Sequence, residues 1–167
     1  MYHVDLKQNC KISKLYSDYA IDRAYNSEVV IENRIYLMLL MLTSKILSEV
    51  ISLNYNNRYV IDFPVSLLEK QRKISKYLKT LDNDLLRNKV ELRFDYSTYK
   101  NRVLRKEINK LITKDYSIGL YLDDSFDNDY DNLYLFNTIY VNKKSVFYDN
   151  IIFSKDELKI NVVEVEV

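Results

Sequence analysis

The sequence is poor in the residues that form turns and reactive sites. Its 167 residues include one glycine, one proline, one cysteine and one histidine, and no tryptophan. The single cysteine, Cys10, excludes an internal disulfide framework and a cysteine-based zinc cluster. The single histidine, His3, has no second imidazole beside it for a conventional zinc site, and a serine nucleophile would lack another general base. The one glycine, Gly119, excludes a glycine-rich phosphate-binding loop.

The abundant residues point to an ordinary globular protein from an unusual genome. Sixteen tyrosines and many asparagines indicate an AT-rich gene, which is typical of low-GC bacteria, their mobile elements and their viruses. Hydrophobic residues make up 47% and charged residues 29%, which is too apolar for intrinsic disorder. A chain of this length buries about 70% of its unfolded surface. We therefore expect a single domain over residues 1–167.

No segment is long enough or apolar enough to predict a membrane span. The longest uncharged run, residues 35–44, lies between Arg34 and Lys45. Such a run is too short to cross the roughly 30 Å hydrocarbon layer, so we interpret it as part of a buried helix. The first residues are mixed and polar, unlike a signal peptide. We therefore expect a cytoplasmic protein without a membrane partner.

A nearly neutral net charge hides a strong asymmetry along the chain. Residues 1–68 carry no net charge. Residues 69–114 contain 14 basic and 6 acidic residues and carry +8, whereas residues 115–167 contain 4 and 11 and carry −7. The basic middle segment indicates an acidic or polyanionic partner, and the acidic end indicates a contact with partner proteins.

Hydrophobic periodicity predicts helices at residues 13–25, 27–53, 65–80 and 97–114. The helix at 27–53 is apolar almost all round. Its expected core seam is Ile35, Leu39, Leu42, Ile46 and Val50. Three further apolar residues, Tyr36, Met38 and Met41, remain for a second surface, which we interpret as a protein-partner interface. The alternative is a central helix covered by the protein's own sheet.

Alternating apolar and polar residues predict strands at residues 59–63, 89–96, 116–122, 133–141, 145–153 and 158–167. Short connections between the last four predict an antiparallel β-meander. The predicted fold class is therefore α+β. Residues 1–89 are expected to be mainly helical, residues 90–122 to form a basic helix flanked by strands, and residues 123–167 to form an acidic antiparallel sheet. Two helices followed by a hairpin also predict a winged-helix-like core.

Two predicted helices carry a row of cations opposite their apolar face. The rows are Arg72, Lys76 and Lys79 on one helix and Arg102, Lys106 and Lys110 on the other. Like charges at this spacing repel by about 0.2 to 0.5 kcal/mol per pair, so the rows indicate a polyanionic or acidic partner. We interpret them as contacts to nucleic-acid phosphates or to an acidic partner. Solvated faces of an ordinary domain are the alternative.

A cluster of aspartates follows the strand predicted at residues 116–122. Asp127, Asp129 and Asp131 occupy the first three ligand positions of an EF-hand calcium loop. Asn132 replaces the glycine of the sixth position, and Thr138 replaces the glutamate of the twelfth. We therefore expect no metal site and no cofactor. Four aspartates are assigned to contact with partner proteins: Asp124, Asp127, Asp129 and Asp131. A solvated hairpin loop and weak metal binding are the alternatives.

Three stretches resemble a known family. They are NSEVVIENRIYL at residues 26–37, VIDF at residues 60–63 and YKNRVLRKEINKLITKDYSIGLYL at residues 99–122. They resemble the small middle component of bacterial three-component antiphage systems built on an SMC-like ATPase, of which Lamassu is one. The glycines common around that family's hairpin are largely missing here, and residues after 122 lie outside the resemblance. It implies a winged-helix subunit without catalysis that bridges the ATPase to an effector, with DNA sensing in the assembly.

These observations together predict a non-enzymatic accessory subunit of an SMC-like, DNA-sensing antiphage defence complex. The expected assembly is a hetero-oligomer with the SMC-like ATPase and effector subunits, and double-stranded DNA is a candidate partner. The alternative is a small phage or mobile-element inhibitor, similar to an anti-CRISPR protein, whose aspartates imitate nucleic-acid phosphates. A small metal-dependent enzyme is the third hypothesis.

Overall fold

The computed structural model of the chain describes residues 3–5, 28–53 and 58–166. The helix expected at residues 13–25 lies outside these residues. The chain folds into two compact units, Met1–Val90 and Glu91–Val167. The strand pairs described within each unit are parallel, so the fold is of the α/β type.

The first unit contains a long helix, α1, at Glu28–Leu53. The expected core seam is buried at all five positions, which confirms the prediction from three- and four-residue spacing. Thr43 lies on the same side of α1 and donates its hydroxyl to the Leu39 carbonyl oxygen at 2.9 Å. This local hydrogen bond satisfies a polar group that burial would otherwise leave without a partner.

Two short parallel strands and three further helices make up the rest of the first unit as far as the structure describes it. Strand β1, His3–Asp5, pairs with β2, Arg58–Asp62. The helices are α2 at Val65–Leu68, α3 at Gln71–Leu81 and α4 at Asp84–Arg87. Pro64, with its fixed φ of −66°, occupies the position before α2. The single helix predicted at residues 65–80 is thus interrupted between α2 and α3.

The buried side of α3 is set by its apolar residues, Ile74, Tyr77, Leu78 and Leu81. The Tyr77 ring packs against Phe63 with centroids 5.8 Å apart. Its hydroxyl is hydrogen-bonded to Thr43 of α1 at 3.0 Å. Burial raises the pKa of Tyr77 above its ordinary value, so the phenol stays protonated. These contacts leave the opposite side of α3 facing solvent.

The second unit alternates strands and helices. In chain order these are β3 (Val90–Asp95), α5 (Tyr96–Lys100), α6 (Arg102–Thr113), β4 (Ser117–Leu122), β5 (Thr138–Asn142), α7 (Tyr148–Ser154) and β6 (Val162–Val165). A 3-10 turn at Leu133–Leu135 precedes β5. The four strands lie side by side in chain order, and each neighbouring pair is parallel.

The predicted α+β fold with a C-terminal antiparallel β-meander is wrong. The strand predicted at residues 145–153 is a turn followed by α7, and the first part of the strand predicted at 133–141 is the 3-10 turn. Aromatic and β-branched residues are frequent throughout this chain, so strand propensity does not distinguish its strands from its helices and turns. Because a helix rather than a tight turn connects β5 to β6, the chain crosses over and the strands pair in parallel.

The predicted winged-helix-like core is also wrong. The helix predicted at residues 97–114 is divided by Asn101, whose side-chain oxygen accepts the backbone N–H groups of Val103 at 2.9 Å and Leu104 at 3.3 Å. Strand β4 lies between β3 and β5 instead of forming one arm of a hairpin. Helix α6 is therefore the crossover helix of a β-α-β unit, and it is buried along its apolar side.

Among residues 3–5, 28–53 and 58–166, three adopt the left-handed backbone conformation that favours glycine. They are Asp115 with φ of 64°, Asn128 with φ of 62° and Lys159 with φ of 55°. Asp115 follows α6, Asn128 lies in the loop after β4, and Lys159 precedes β6. The chain's one glycine, Gly119, lies at none of these positions but within β4.

A buried polar cluster connects three strands of the second unit. Glu91 of β3 is fully buried. Its carboxylate accepts hydrogen bonds from the hydroxyls of Tyr140 at 2.5 Å, Thr138 at 2.9 Å and Ser117 at 3.3 Å. The Arg93 guanidinium lies 4.8 Å from the centroid of the Tyr140 ring, within the range of a cation–π contact. The cluster thus links β3 to β4 and β5.

The cluster predicts that position 119 tolerates no side chain. A Cβ at Gly119 would lie 2.8 Å from Glu91 Oε1 and 2.8 Å from Tyr140 Cε2. Gly119→Ala is therefore expected to lower the free energy of unfolding by about 1 to 3 kcal/mol, as overpacking does in other cores. Urea denaturation at neutral pH measures this change. Tyr121→Phe, two residues later in β4, adds no volume and removes no hydrogen bond to the described residues, so it should cost less. Equal stability of Gly119→Ala and the wild type would contradict this packing.

Candidate functional site

The exposed side of α3 carries the first predicted cation row. Arg72, Lys76 and Lys79 are all exposed. None of the three forms an ion pair or a hydrogen bond with the residues that the structure describes. Spacings of four and three residues separate successive Cα atoms by about 6 and 4.5 Å along the helix axis. We call these three residues the α3 cation row.

The second predicted row lies on α6 and is weaker. Arg102, Lys106 and Lys110 are exposed, as their spacing predicts. Lys110 Nζ lies 2.6 Å from Glu107 Oε1, so a neighbouring carboxylate offsets its charge. This row belongs to the second unit and the α3 cation row to the first. The structure thus distinguishes two rows that look equivalent in the sequence.

The aspartate-rich loop after β4 is attached to α5 through Asp127. The Tyr96 hydroxyl donates to Asp127 Oδ1 at 2.5 Å, and Lys100 Nζ lies 2.8 Å from Oδ2. The hydrogen bonds from Lys100 and Tyr96 lower the pKa of Asp127 from its ordinary 3.8 to about 2. Burial and the same carboxylate raise the pKa of Tyr96 above its ordinary value. Asp127 is therefore ionised and paired within the fold.

Asp123 attaches the start of the same loop. Its carboxylate accepts the backbone N–H of Ser97 at 3.0 Å and that of Ser125 at 2.9 Å. Burial alone would raise the pKa of Asp123, but the hydrogen bonds from Ser125 and Ser97 lower it overall. The Phe126 ring then packs edge-on against Tyr96 with centroids 5.0 Å apart. The loop is thus held by both polar and aromatic contacts.

The other aspartates assigned to partner contact differ in their surroundings. Asp124 and Asp131 are exposed, whereas Asp129 is half-buried and accepts the backbone N–H of Asp131 at 3.3 Å. Within the described residues, no group of three or more His, Cys, Asp and Glu side chains is placed to hold a metal ion. The loop therefore offers two exposed carboxylates for a partner.

The exposed apolar surface of α1 is rotated about the helix axis by part of a turn from the predicted one. Met41 is 73% exposed, but Tyr36 and Met38 are half-buried. The most exposed apolar neighbours are Leu37 and Ile51, which sequence reasoning did not single out. By length and composition, Asn33–Ser52 is also apolar enough to cross a membrane, a test that a soluble protein's core helix passes as well. The seam of α1 is buried inside the first unit, and the other side chains of this segment, apart from Thr43, are half-buried or exposed.

Sequence reasoning missed the cluster around Glu91. Its carboxylate and the hydroxyl-bearing residues Thr138 and Tyr140 are each at most 3% exposed, so they hold strands together instead of facing a ligand. A lone glycine within a predicted strand was the available signal, because such a glycine often marks a close approach of neighbouring groups. The residue that approaches Gly119 is not identifiable without the strand pairing.

Comparison of the chain with protein-family models, with curated proteins and with solved structures found no match. The function proposed below therefore rests on the geometry and charge of this chain.

The contacts of Asp127 predict how stability depends on pH. Because its pKa in the folded protein lies below its ordinary 3.8, the Lys100 and Tyr96 contacts stabilise the fold above that pH. This contribution is lost as the pH falls from about 4 toward 2. Carboxyl-carbon NMR should give Asp127 a titration midpoint of about 2 in the wild type.

The same titration in Lys100→Met should move the Asp127 midpoint upward toward 3.8. Lys106→Met removes an equal charge from α6, away from Asp127, and serves as the control. A midpoint unaffected by Lys100→Met would contradict the pairing seen in the structure.

Proposed function

We propose that this chain is a non-enzymatic accessory subunit that binds the phosphate backbone of duplex DNA through the α3 cation row. The observation that carries the proposal is the exposure of Arg72, Lys76 and Lys79 without an ion-pair partner among the described residues. Three unpaired cations on one helix face repel each other, and a polyanion removes that repulsion.

The geometry favours contact with the backbone over reading of base edges. A winged helix recognises a DNA sequence with a helix that enters a groove, and α6 was predicted to be that helix. In the structure α6 is a crossover helix between parallel strands. On α3, the Thr80 hydroxyl already donates to the Tyr77 carbonyl oxygen at 2.6 Å. The charged groups on this side are the three cations, and cations bind phosphates without regard to sequence.

Duplex DNA suits the row better than an acidic protein surface does. B-form DNA presents one phosphate charge per about 1.7 Å of helix axis, so cations about 5 Å apart meet phosphates in many orientations. An acidic protein would have to match this spacing with individually placed carboxylates. An acidic protein partner is nevertheless the competing explanation, and the DNA measurement below separates the two.

The contacts of the aspartate-rich loop disfavour the inhibitor hypothesis. A surface that imitates phosphates needs several free carboxylates, but Asp127 is paired with Lys100 and Asp123 accepts backbone hydrogen bonds. The Lys100 ammonium also neutralises part of the negative charge after β4 that would otherwise repel DNA.

Membership of a cytoplasmic SMC-like defence complex stays a prediction. It depends on the resemblance of residues 26–122, and the comparisons provide no independent support for it. In this proposal the ATPase and the effector are partner subunits, and this chain supplies the contact with DNA.

Salt-dependent DNA binding tests the proposal. The triple variant Arg72→Gln, Lys76→Gln and Lys79→Gln should bind a fluorescent duplex more weakly than the wild type at low salt. Each lost phosphate contact reduces the slope of log K against log salt by about 0.9, so the triple variant should lose up to about 2.7. Anisotropy titrations at several salt concentrations give both slopes.

The control changes the same number of charges at dispersed positions: Lys45→Gln, Lys155→Gln and Lys159→Gln. It should keep most of the wild-type slope. The α6 variant, with Arg102, Lys106 and Lys110 changed to glutamine, should lose less affinity than the α3 variant. Absence of DNA binding by the wild type, or an unchanged slope in the α3 variant, would refute the proposal.

A further inference from the structure

The outer face of α6 carries an exposed apolar side chain between two cations. Val103 is 61% exposed, and Arg102 and Lys106 are exposed on either side of it along the helix. Neither cation forms a side-chain ion pair or hydrogen bond with any residue that the structure describes. We call Arg102, Val103 and Lys106 the basic patch.

The outer face of α7 carries an exposed aromatic ring among carboxylates. Phe153 is 88% exposed. The hydrogen bond from Leu158 N to the Ser154 carbonyl oxygen, at 2.9 Å, continues the helical geometry for one turn beyond α7. Residues three and four positions away are therefore the surface neighbours of Phe153. All four are exposed: Asp149, Asn150, Asp156 and Glu157.

The three carboxylates around Phe153 keep their full charge. Within residues 3–5, 28–53 and 58–166, no cation forms an ion pair with Asp149, Asp156 or Glu157. Lys155 is two positions from Phe153 and so points to a different side of the helix. We call Phe153 and these three carboxylates the acidic patch.

Both patches lie on the same side of the sheet. Helix α6 precedes β4 in the connection from β3, α7 connects β5 to β6, and the four strands lie in chain order. The two connections thus cross the sheet in the same direction. Connections between parallel strands are right-handed in nearly all proteins, which places α6 and α7 on one side. One surface of the second unit therefore carries both a basic and an acidic patch.

We propose that this surface binds a second copy of the chain about a two-fold axis between α6 and α7. The basic patch of each copy contacts the acidic patch of the other, so the interface contains the same contact twice, as two-fold symmetry requires. Phe153 packs against Val103 of the second copy. The axis reverses the helix direction, so Lys106 faces Asp149 of the second copy, and Arg102 faces the carboxylates that follow Phe153.

The spacing of the charges fits this arrangement. Lys106 lies about 4.5 Å after Val103 along the axis of α6, and Asp149 lies about 6 Å before Phe153 along the axis of α7. When Val103 and Phe153 are in contact, these two charges come within reach of each other. Arg102 lies before Val103, on the side where the reversed α7 places Asp156 and Glu157.

The charges favour a second copy over nucleic acid or a lipid surface. Phosphates would be repelled by the carboxylates that surround Phe153, and these carboxylates carry their charge to any membrane as well. A second copy instead supplies cations to the acidic patch and carboxylates to the basic patch at the same time. Two small contacts with exposed ion pairs predict a weak, salt-sensitive dimer. The inference does not depend on DNA binding.

Sedimentation velocity of nucleic-acid-free protein, from low to several hundred micromolar, tests for the dimer. The wild type should shift toward the dimer as its concentration rises, and should dissociate in about 1 M salt, where the Debye length is roughly 3 Å. Phe153→Ser should weaken the dimer by at least about tenfold. Tyr134→Ser removes another exposed aromatic ring of the second unit, outside both patches, and should dimerise like the wild type.

Exchange of the charges tests which patches meet. One variant changes Arg102 and Lys106 to glutamate, and a second changes the three carboxylates of the acidic patch to lysine. Each variant alone should be a monomer, because its two patches have the same sign. An equimolar mixture should form a heterodimer, because both contacts then join opposite charges again. Circular dichroism checks that each variant is folded.

Four outcomes would overturn the proposal. The first is a wild-type monomer at every concentration, which is expected if another part of the same chain covers the patches. The second is a mixture of the two variants that stays monomeric. The third is dimerisation of either variant alone with wild-type affinity. The fourth is growth of the wild type beyond a dimer, because a two-fold contact closes.

Discussion

The second unit depends on the need to satisfy a buried carboxylate. A carboxylate without water must be hydrogen-bonded, because its desolvation is costly. Glu91 meets this need with hydroxyls from β4 and β5, and those partners are available in only one register. The register in turn places Gly119 where a side chain would collide with the cluster. The same contacts therefore tie together the registers of β3, β4 and β5.

Features that depend on neighbours in sequence were predictable. The buried seam of α1, strand β3 and the exposure of the α3 cation row all follow from local periodicity. The direction of strand pairing was not predictable in the same way, because it depends on whether the segment between two strands is a tight turn or a longer crossover. In this chain the decisive segment is residues 145–153, where strand-forming residues make a turn and α7. Residues 123–137, between β4 and β5, likewise join parallel strands where a hairpin was predicted.

For the functional surfaces, too, local patterns were predictable from the sequence and contacts between distant residues were not. Periodicity identified both cation rows, but the pairing of Lys110 with Glu107 decided which row keeps its full charge. The aspartate-rich loop looked like a free acidic patch because its partners on α5 are 26 and 31 residues away in the sequence. On α1, the difference between Met38 and Leu37 is a rotation about the helix axis that only the packed structure fixes. Sequence patterns thus indicate which elements carry function, and packing determines which side chains are available.

The left-handed residues show what the scarcity of glycine costs this fold. The sequence contains one glycine, which lies within β4, so Asn, Asp or Lys stands at backbone positions where glycine would be free of strain. Each such residue costs about 1 to 2 kcal/mol in the left-handed conformation, although Asn and Asp adopt it more readily than Lys. A composition poor in glycine thereby lowers the stability of the folded chain at Asp115, Asn128 and Lys159.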